Sequence, residues 1–436
     1  YFRWHTYCKH IKPTEDGYVI TEFLPDVPWS GKHNTICCSA GHHFYEGRWL
    51  YNRKYLSDYA EFWFTEGAKP RLYSFWSADS ILALCKVTGD LTVARELYNG
   101  IKNNWLEWEK TNMRECGLFY QIDDRDGMEF SVSGNGYRPT INSYMCGDAL
   151  AISQIARLLG KEDESGLFYD KYSKLKELIN TKLWNADADF YMTLAENGNY
   201  AFSGVREEIG YIPWYFNIPD DEKTVAWRFL NDEKYFKAPF GPTTVEKNHP
   251  EFMREHPHDC LWNGPSWPFA TSQTLTALGN LISNYNQTLM KKSDYYDLVD
   301  TYAKSQYLNG EPFIDENIDP FTGAWAVRER LHSQTPLPDD AERGKDYNHS
   351  TFCDLVIGGL AGVRPSLDST VTVNPLFGED DLEYFCADGI LYHGHYITVV
   401  WDKTGERYNR GRGLTVLCDG ETAGTMPVPS AVKFSI

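Results

Sequence analysis

Two stretches of this chain concentrate acids beside glycine, proline and aromatic residues. The first, Asp123-Asp-Arg-Asp-Gly-Met-Glu129-Phe-Ser-Val-Ser-Gly-Asn-Gly-Tyr137-Arg-Pro, packs four acids into seven residues. Desolvation and a neighbouring carboxylate can keep an acid in such a loop protonated, which a general acid requires, and Glu129 is the candidate. A solvated acidic loop, or a calcium site from Asp123, Asp124 and Asp126, is the competing reading. That spacing departs from the regular calcium-loop register, so no metal or other cofactor is expected. The second stretch is Pro312-Phe-Ile-Asp315-Glu316-Asn-Ile-Asp319-Pro-Phe-Thr-Gly323-Ala-Trp325. A carboxylate before a proline turn and a Trp can activate water on one face of a sugar ring. Asp315 and Glu316 compete for that role, against the simpler use of such acids to cap or solvate a turn.

Around these acids lie candidate binding groups. Trp262-Asn263-Gly-Pro-Ser-Trp267-Pro sets two indoles on a proline-fixed loop, a rigid wall on which a sugar face can stack, with Asn263 as a hydrogen-bonding partner. Trp29 sits in a charged, aromatic segment, Thr21-Glu22-Phe-Leu-Pro-Asp26-Val-Pro-Trp29. Glu46 and Arg48 can clamp hydroxyls or pair with each other, the commoner use of such residues on a helix. Glu207, Tyr211 and Trp214, with Glu208 beside them, form a further aromatic and acidic cluster. Asp126, Tyr137, Arg138 and Trp325 complete the binding set, and Asp126 can share work with Glu129. Adjacent His42 and His43 do not face a common point on a helix and are not read as a metal pair.

Other chemistries find no support. The sequence has no GxSxG, HExxH, GxxxxGK[ST] or strand-to-helix GxGxxG, so serine hydrolase, metalloprotease and nucleotide enzyme drop out. A net charge of -19, from 42 Lys+Arg against 61 Asp+Glu, suits no phosphate backbone, and nucleic acid is excluded as a partner. No apolar run approaches the roughly 20 residues of a membrane span. Ten scattered Cys residues show no CxxC or zinc spacing and read mostly as buried thiols. Aromatic content of 15% is the positive signal, since flat apolar rings with a polar edge suit carbohydrate as well as a helical core.

The elements that must position these groups are helices. Apolar residues recur at three and four over Ile36 to Phe64, Tyr73 to Val87, Leu91 to Lys110, Ile141 to Leu159, Gly166 to Leu183, Thr271 to Ser283, Tyr295 to Tyr307 and Ser350 to Leu360, a count that points to paired helices. Long loops between them, Asp123 to Pro139, Phe240 to Pro268 and Glu311 to Tyr347, carry the candidate chemistry. After about residue 368 the pattern turns to short β-prone runs such as Tyr396-Ile-Thr-Val-Val-Trp401. The expected organisation is an N-terminal extension or linker over 1–33, a helical barrel over 34–365 and a β-sandwich-like domain over 366–436. The opening residues, Tyr1-Phe2-Arg3-Trp4, point to a longer precursor and favour a periplasmic or secreted location.

The loops resemble those of inverting glycosidases built on an (α/α)6 barrel: the trehalases, processing α-glucosidase I, mannosylglycerate hydrolase-like enzymes and, more distantly, bacterial β-L-arabinofuranosidases. Gly127-Met-Glu129-Phe-Ser falls where those enzymes carry Gly-Met-Asp or Gly-Trp-Asp-Phe-Ser, whose acid protonates the leaving group. Glu316-Asn-Ile-Asp-Pro-Phe-Thr-Gly is similar to their Glu-x-x-(Asn/Asp)-Pro-x-Thr-Gly, which opens on the catalytic base, and Trp262-Asn-Gly-Pro-Ser-Trp-Pro to a loop of their sugar pocket. The resemblance implies a mainly α, six-hairpin (α/α)6 toroid with Glu129 as general acid and Glu316 as general base, removing a terminal sugar with inversion. Two departures, Glu in place of Asp at 129 and Tyr137-Arg138-Pro139 in place of the trehalase Asp-Xaa-Xaa-Arg, argue against trehalose as substrate. A non-catalytic carbohydrate-binding protein on the same scaffold and a polysaccharide lyase on a related toroid are the rival readings.

Overall fold

The computed structural model describes residues 1–196 and 199–436. Among them, six helical segments make an inner ring: Ala40–Gly47, Ser77–Thr88, Pro139–Leu158, Ile212–Tyr215, Pro268–Asn284, and Phe352–Asp354 continued by Leu355–Leu360. Each packs on the next, and the last packs back on the first. An outer layer follows the order of the chain through Lys54–Phe62, Thr92–Asn112, Glu162–Leu178, Asp221–Phe229 and Lys292–Ser305. Phe2–Lys9, at the chain's start, packs against Phe352–Asp354 and supplies the sixth outer helix. The arrangement is an (α/α)6 toroid. None of these helices is long and apolar enough to cross a membrane.

Residues 1–33, expected as an N-terminal extension or linker, pack on the barrel. Arg3 reaches into the barrel, donating from Nε to Glu46 Oε1 at 3.0 Å and from Nη2 to Asn348 Oδ1 at 2.8 Å. The hairpin Ile11–Thr14 and Gly17–Ile20, paired Ile11 to Ile20, follows it. Arg3 was invisible in this role because its partners lie far along the chain.

The helix expected over Ile36 to Phe64 is broken. A short turn, Cys37–Ser39, leads into Ala40–Gly47, and a second helix begins at Lys54. At Gly47 the hydroxyl of Tyr7 occupies the space a Cβ would need, so the N-terminal helix docks where the inner helix ends. Proline opens both Pro139–Leu158 and Pro268–Asn284, where its missing N–H costs nothing and its fixed φ suits the first turn. Aromatic residues fill the core between layers. Trp63, Trp76, Trp105, Trp214 and Trp227 are fully buried, and truncating any one to Ala costs about 3–5 kcal/mol.

The C-terminal strands form a four-stranded antiparallel sheet, Glu421–Met426, Gly413–Cys418, His395–Asp402, Tyr384–Tyr392 in that order, and a three-stranded one, Val432–Ser435, Thr370–Val373, Val363–Arg364. Val399 pairs with Val416, and the alternating Ile397, Val399 and Trp401 are buried in a second core with Trp49 and Val87 of the barrel. All ten cysteines are free thiols, Cys37 and Cys38 among them.

Candidate active site

The loops that enter the inner helices converge at one end of the toroid on a cavity of about 370 Å³. Five of the six, all but the loop entering Ile212–Tyr215, contribute residues before their helix: Ile36 and Cys38, Tyr73, Glu129, Trp262 and Trp267, and Tyr347 and His349. The positive ends of the longer inner helices thus face the cavity. Its size is at the lower end of ordinary ligand pockets, roughly 300–1,000 Å³, which suits one sugar ring better than a chain.

Glu129 and Glu316 both line this cavity. Glu129 follows Gly127, whose φ of 71° turns the loop tightly where Cys38 Sγ would collide with a Cβ. Phe130 then takes a φ of 58°, a costly conformation for a bulky residue that swings its ring outward against His256 and His258. The Glu129 carbonyl accepts a hydrogen bond from the Trp262 N–H at 3.1 Å, and the Cys260 thiol donates to its carboxyl Oε2 at 3.3 Å. Burial raises the Glu129 pKa, and the nearby Asp124 raises it further. Glu316 is buried and pushed up to about 8, chiefly by desolvation; Arg343, with Nε 3.4 Å from Oε1, pulls the other way, while Asp315 and Glu129 add to the rise.

Asp315 does not compete for the cavity. Its Oδ1 accepts the Glu316 backbone N–H at 2.8 Å and its Oδ2 faces Arg328 at 3.5 Å, so it braces the turn that presents Glu316. Trp325 supports the same turn from behind, donating from its indole to the Tyr307 carbonyl at 3.0 Å; it is a buttress and not a sugar platform.

The two loop indoles stack on each other at 4.6 Å and 11°, and both line the cavity. Asn263, expected beside the substrate, instead donates to the backbone carbonyls of Glu251 and Arg254 and ties the loop to its neighbour. Trp29 lies at the rim, 40% exposed, with the Arg343 guanidinium 5.6 Å from its ring.

The remaining expected binding residues are structural. Asp126 and Arg138 form a fully buried ion pair, completed by Thr140 and Ser74 on the acid and by Ser131 and Ser133 on the guanidinium. Asp126 is thereby fully engaged by protein groups. Glu207 accepts the Ser133 N–H at 3.1 Å and props the acid loop from beneath, and Glu208 accepts from Thr274 at 2.9 Å. Tyr137 packs edge-on to Tyr120, Tyr211 lies against Trp227 at 4.5 Å, and Trp214 fills the core beside Tyr191. Glu46 holds Arg3 and two backbone N–H groups, while Arg48 pairs with Asp354 at 2.7 Å toward the far end of the inner helices. Each of these side chains turns to a protein partner.

Several cavity residues lie outside the expected set. Glu22, Cys260, Arg343, Tyr347 and His349 all line the cavity. Glu22 comes from the segment after the N-terminal hairpin, accepts from Tyr347 Oη at 2.9 Å, and is pushed up to about 8 by burial, with Glu316 and Glu129 adding to the rise. His349 is held neutral, its pKa lowered well below the usual value by burial.

Comparison with known proteins bears on the family and the fold. A family model described as the mannosylglycerate hydrolase MGH1-like glycoside hydrolase domain matches residues 32–350. A solved structure named "Sialidase" is 42% identical with a TM-score of 0.93; the match covers 99% of this chain but 40% of that one, so this chain spans well under half of it. The GH63 mannosylglycerate hydrolase of Thermus thermophilus, solved with glucose, shares the fold at 12% identity and a TM-score of 0.59, covering 82% of this chain and 98% of that one. An uncharacterized protein of Borreliella burgdorferi is 26% identical over 159 residues, 36% of this chain and 33% of that protein.

Proposed function

The chain belongs to the mannosylglycerate hydrolase MGH1-like glycoside hydrolase family, and from that premise we propose that it removes a single terminal sugar with inversion, using Glu129 as proton donor and Glu316 as base. It is a glycosidase with a carbohydrate substrate. The observation that carries the finer reading is the meeting of these two carboxyls at one small cavity walled by Trp262 and Trp267.

In the proposed step Glu129 gives its proton to the glycosidic oxygen as the bond to the anomeric carbon breaks. A water attacks that carbon from the opposite face, and Glu316 takes the water's proton. Inversion requires room for that water, with the carboxyls roughly 6.5–9.5 Å apart. The working ionisation state has Glu129 protonated and Glu316 ionised. Arg343 beside Glu316 and Asp124 near Glu129 both favour it, while the deeper burial of Glu316 opposes it. A cavity closed around one ring favours attack at a chain end, and the Trp262–Trp267 pair supplies its apolar wall.

The test compares wild type with Glu129→Gln and Glu316→Gln on aryl glycosides, following the product anomer by proton NMR. A missing acid matters least when the leaving group needs no proton. Glu129→Gln should lose about 10²–10⁴-fold on natural-type linkages and far less on dinitrophenyl glycosides. Glu316→Gln should lose activity on both. Product of retained configuration, or equal losses for Glu129→Gln on both substrate types, would refute the assignment.

A further inference from the structure

Glu22 has no part in the acid and base steps, yet it lies at the same cavity. It belongs to residues that precede the family match at 32–350, and it reaches the site because the N-terminal helix and hairpin are built into the barrel. It is 4% exposed and accepts the Tyr347 hydroxyl at 2.9 Å. A buried carboxyl held at a sugar-sized cavity by Tyr347, with Ser39 also bonding to it, keeps acceptor capacity for further hydroxyls. Close by on the same wall, His349 Nε2 and Trp262 Nε1 lack a hydrogen-bond partner among the described residues.

The charge lining the cavity adds a second observation. Five acids, Glu22, Asp124, Glu129, Asp259 and Glu316, face a single guanidinium, Arg343. That guanidinium is already within 3.4 Å of Glu316, 3.3 Å of Asp259 and 2.8 Å of Asp340. Among the described residues a sugar carboxylate entering here would meet no uncommitted Lys or Arg and would pay the desolvation of its charge without a compensating cation. A neutral sugar offers hydroxyl donors that suit carboxyl acceptors.

We propose that Glu22 contacts the substrate and makes this site select an uncharged terminal sugar, in contrast to what the name of the 42% identical structure suggests. The inference rests on reading this cavity as the sugar site. Glu22 grips hydroxyls of the bound ring, Tyr347 orients its carboxyl, and the orphaned nitrogens of His349 and Trp262 complete the polar wall.

The test measures binding apart from cleavage. Neutral aldohexoses, aldopentoses and deoxyhexoses, together with glucuronic acid and N-acetylneuraminic acid, are titrated into wild type, Glu22→Gln, Glu22→Ala and Tyr347→Phe by calorimetry. Melting temperatures verify that each variant is folded. The expected result is a neutral sugar as best ligand, its affinity falling about 10- to 100-fold in Glu22→Ala and less in Tyr347→Phe. Equal neutral-sugar affinity in wild type and folded Glu22→Ala overturns the proposal. So does tightest binding of either acidic sugar, or no binding by any sugar in the panel. Binding without cleavage of the matching aryl glycoside would instead count against the hydrolytic mechanism and leave the role of Glu22 standing.

Discussion

The thiol of Cys260 lies 3.3 Å from Oε2 of Glu129, joining two loops that each lead into an inner helix. A thiol is a weak donor, and burial raises its pKa well above the usual value with Glu129 and Glu316 adding to the effect, so it stays protonated and orients the carboxyl without competing for its proton. Cys260→Ala should lower kcat about 3- to 10-fold, the worth of one modest hydrogen bond, with KM little changed. Cys260→Ser should restore most of the loss. Equal activity in all three proteins would show that the contact does no orienting.

The pH profile should be displaced upward. Glu316 must be ionised to act as base, and its pKa in the free enzyme is pushed up to about 8. With both carboxyls raised, Glu316 to about 8, kcat/KM should show both of its limbs displaced above the ordinary glutamate range and should peak where the pair holds one proton. Three interacting carboxyls make these limbs properties of the cluster and not of one residue. An acid limb near 4.5 would contradict the environment described for Glu316.

Stability carries the opposite sign. For Glu22 and Glu316 the folded-state pKa lies above the unfolded one, so the fold binds protons more tightly than the unfolded chain. Their contribution is therefore most favourable below about 4.5 and is lost as pH rises toward 8. At pH 8 to 9, Glu316→Gln should melt at least about 2 °C above wild type, and at pH 4 the gap should close. Differential scanning calorimetry at the two pH values decides the matter.

Asp126 and Arg138 make a stability prediction. Removing one member of a fully buried pair leaves an uncompensated charge, so Asp126→Ala should cost about 3–5 kcal/mol in denaturant unfolding. If Asp126 instead acts on substrate, the variant would keep its stability and lose turnover.

Deleting residues 1–33 should do more than shorten the protein. It removes Arg3 from Glu46 and Asn348, Tyr7 from its place against Gly47, and Glu22 from the cavity. The truncated chain should show exposed apolar surface by dye binding and no cooperative melt. A sharp transition near the wild-type temperature would mean the barrel closes without its sixth outer helix.

What was legible in the sequence follows from what sequence can encode locally. Helical periodicity announced the barrel, and the acid loop around Glu129, the turn at Glu316 and the Trp262–Trp267 loop each carry their signal within a dozen residues. Glu46, Arg48, Asp126 and Arg138 were legible as polar residues but not by direction. Whether a charged side chain faces a ligand or a buried partner depends on residues such as Arg3, Asp354 and Thr140, remote or on another face. Glu22 shows the limit most clearly, because its meaning comes from Tyr347, 325 positions away.

The ring of inner helices has a seam. It closes where Phe352–Asp354 packs back on Ala40–Gly47, with the outer helix Phe2–Lys9 laid against the same segment, and this seam brings Glu22 to Tyr347. Closing so long a loop is an entropic cost met late, after local hairpins have formed. The candidate active site is thus incomplete in every partly assembled intermediate, however well its helices are formed. Turnover of a glycoside becomes a reporter of topological completion: a refolding chain should regain helical signal first and enzymatic competence only when its two ends have met.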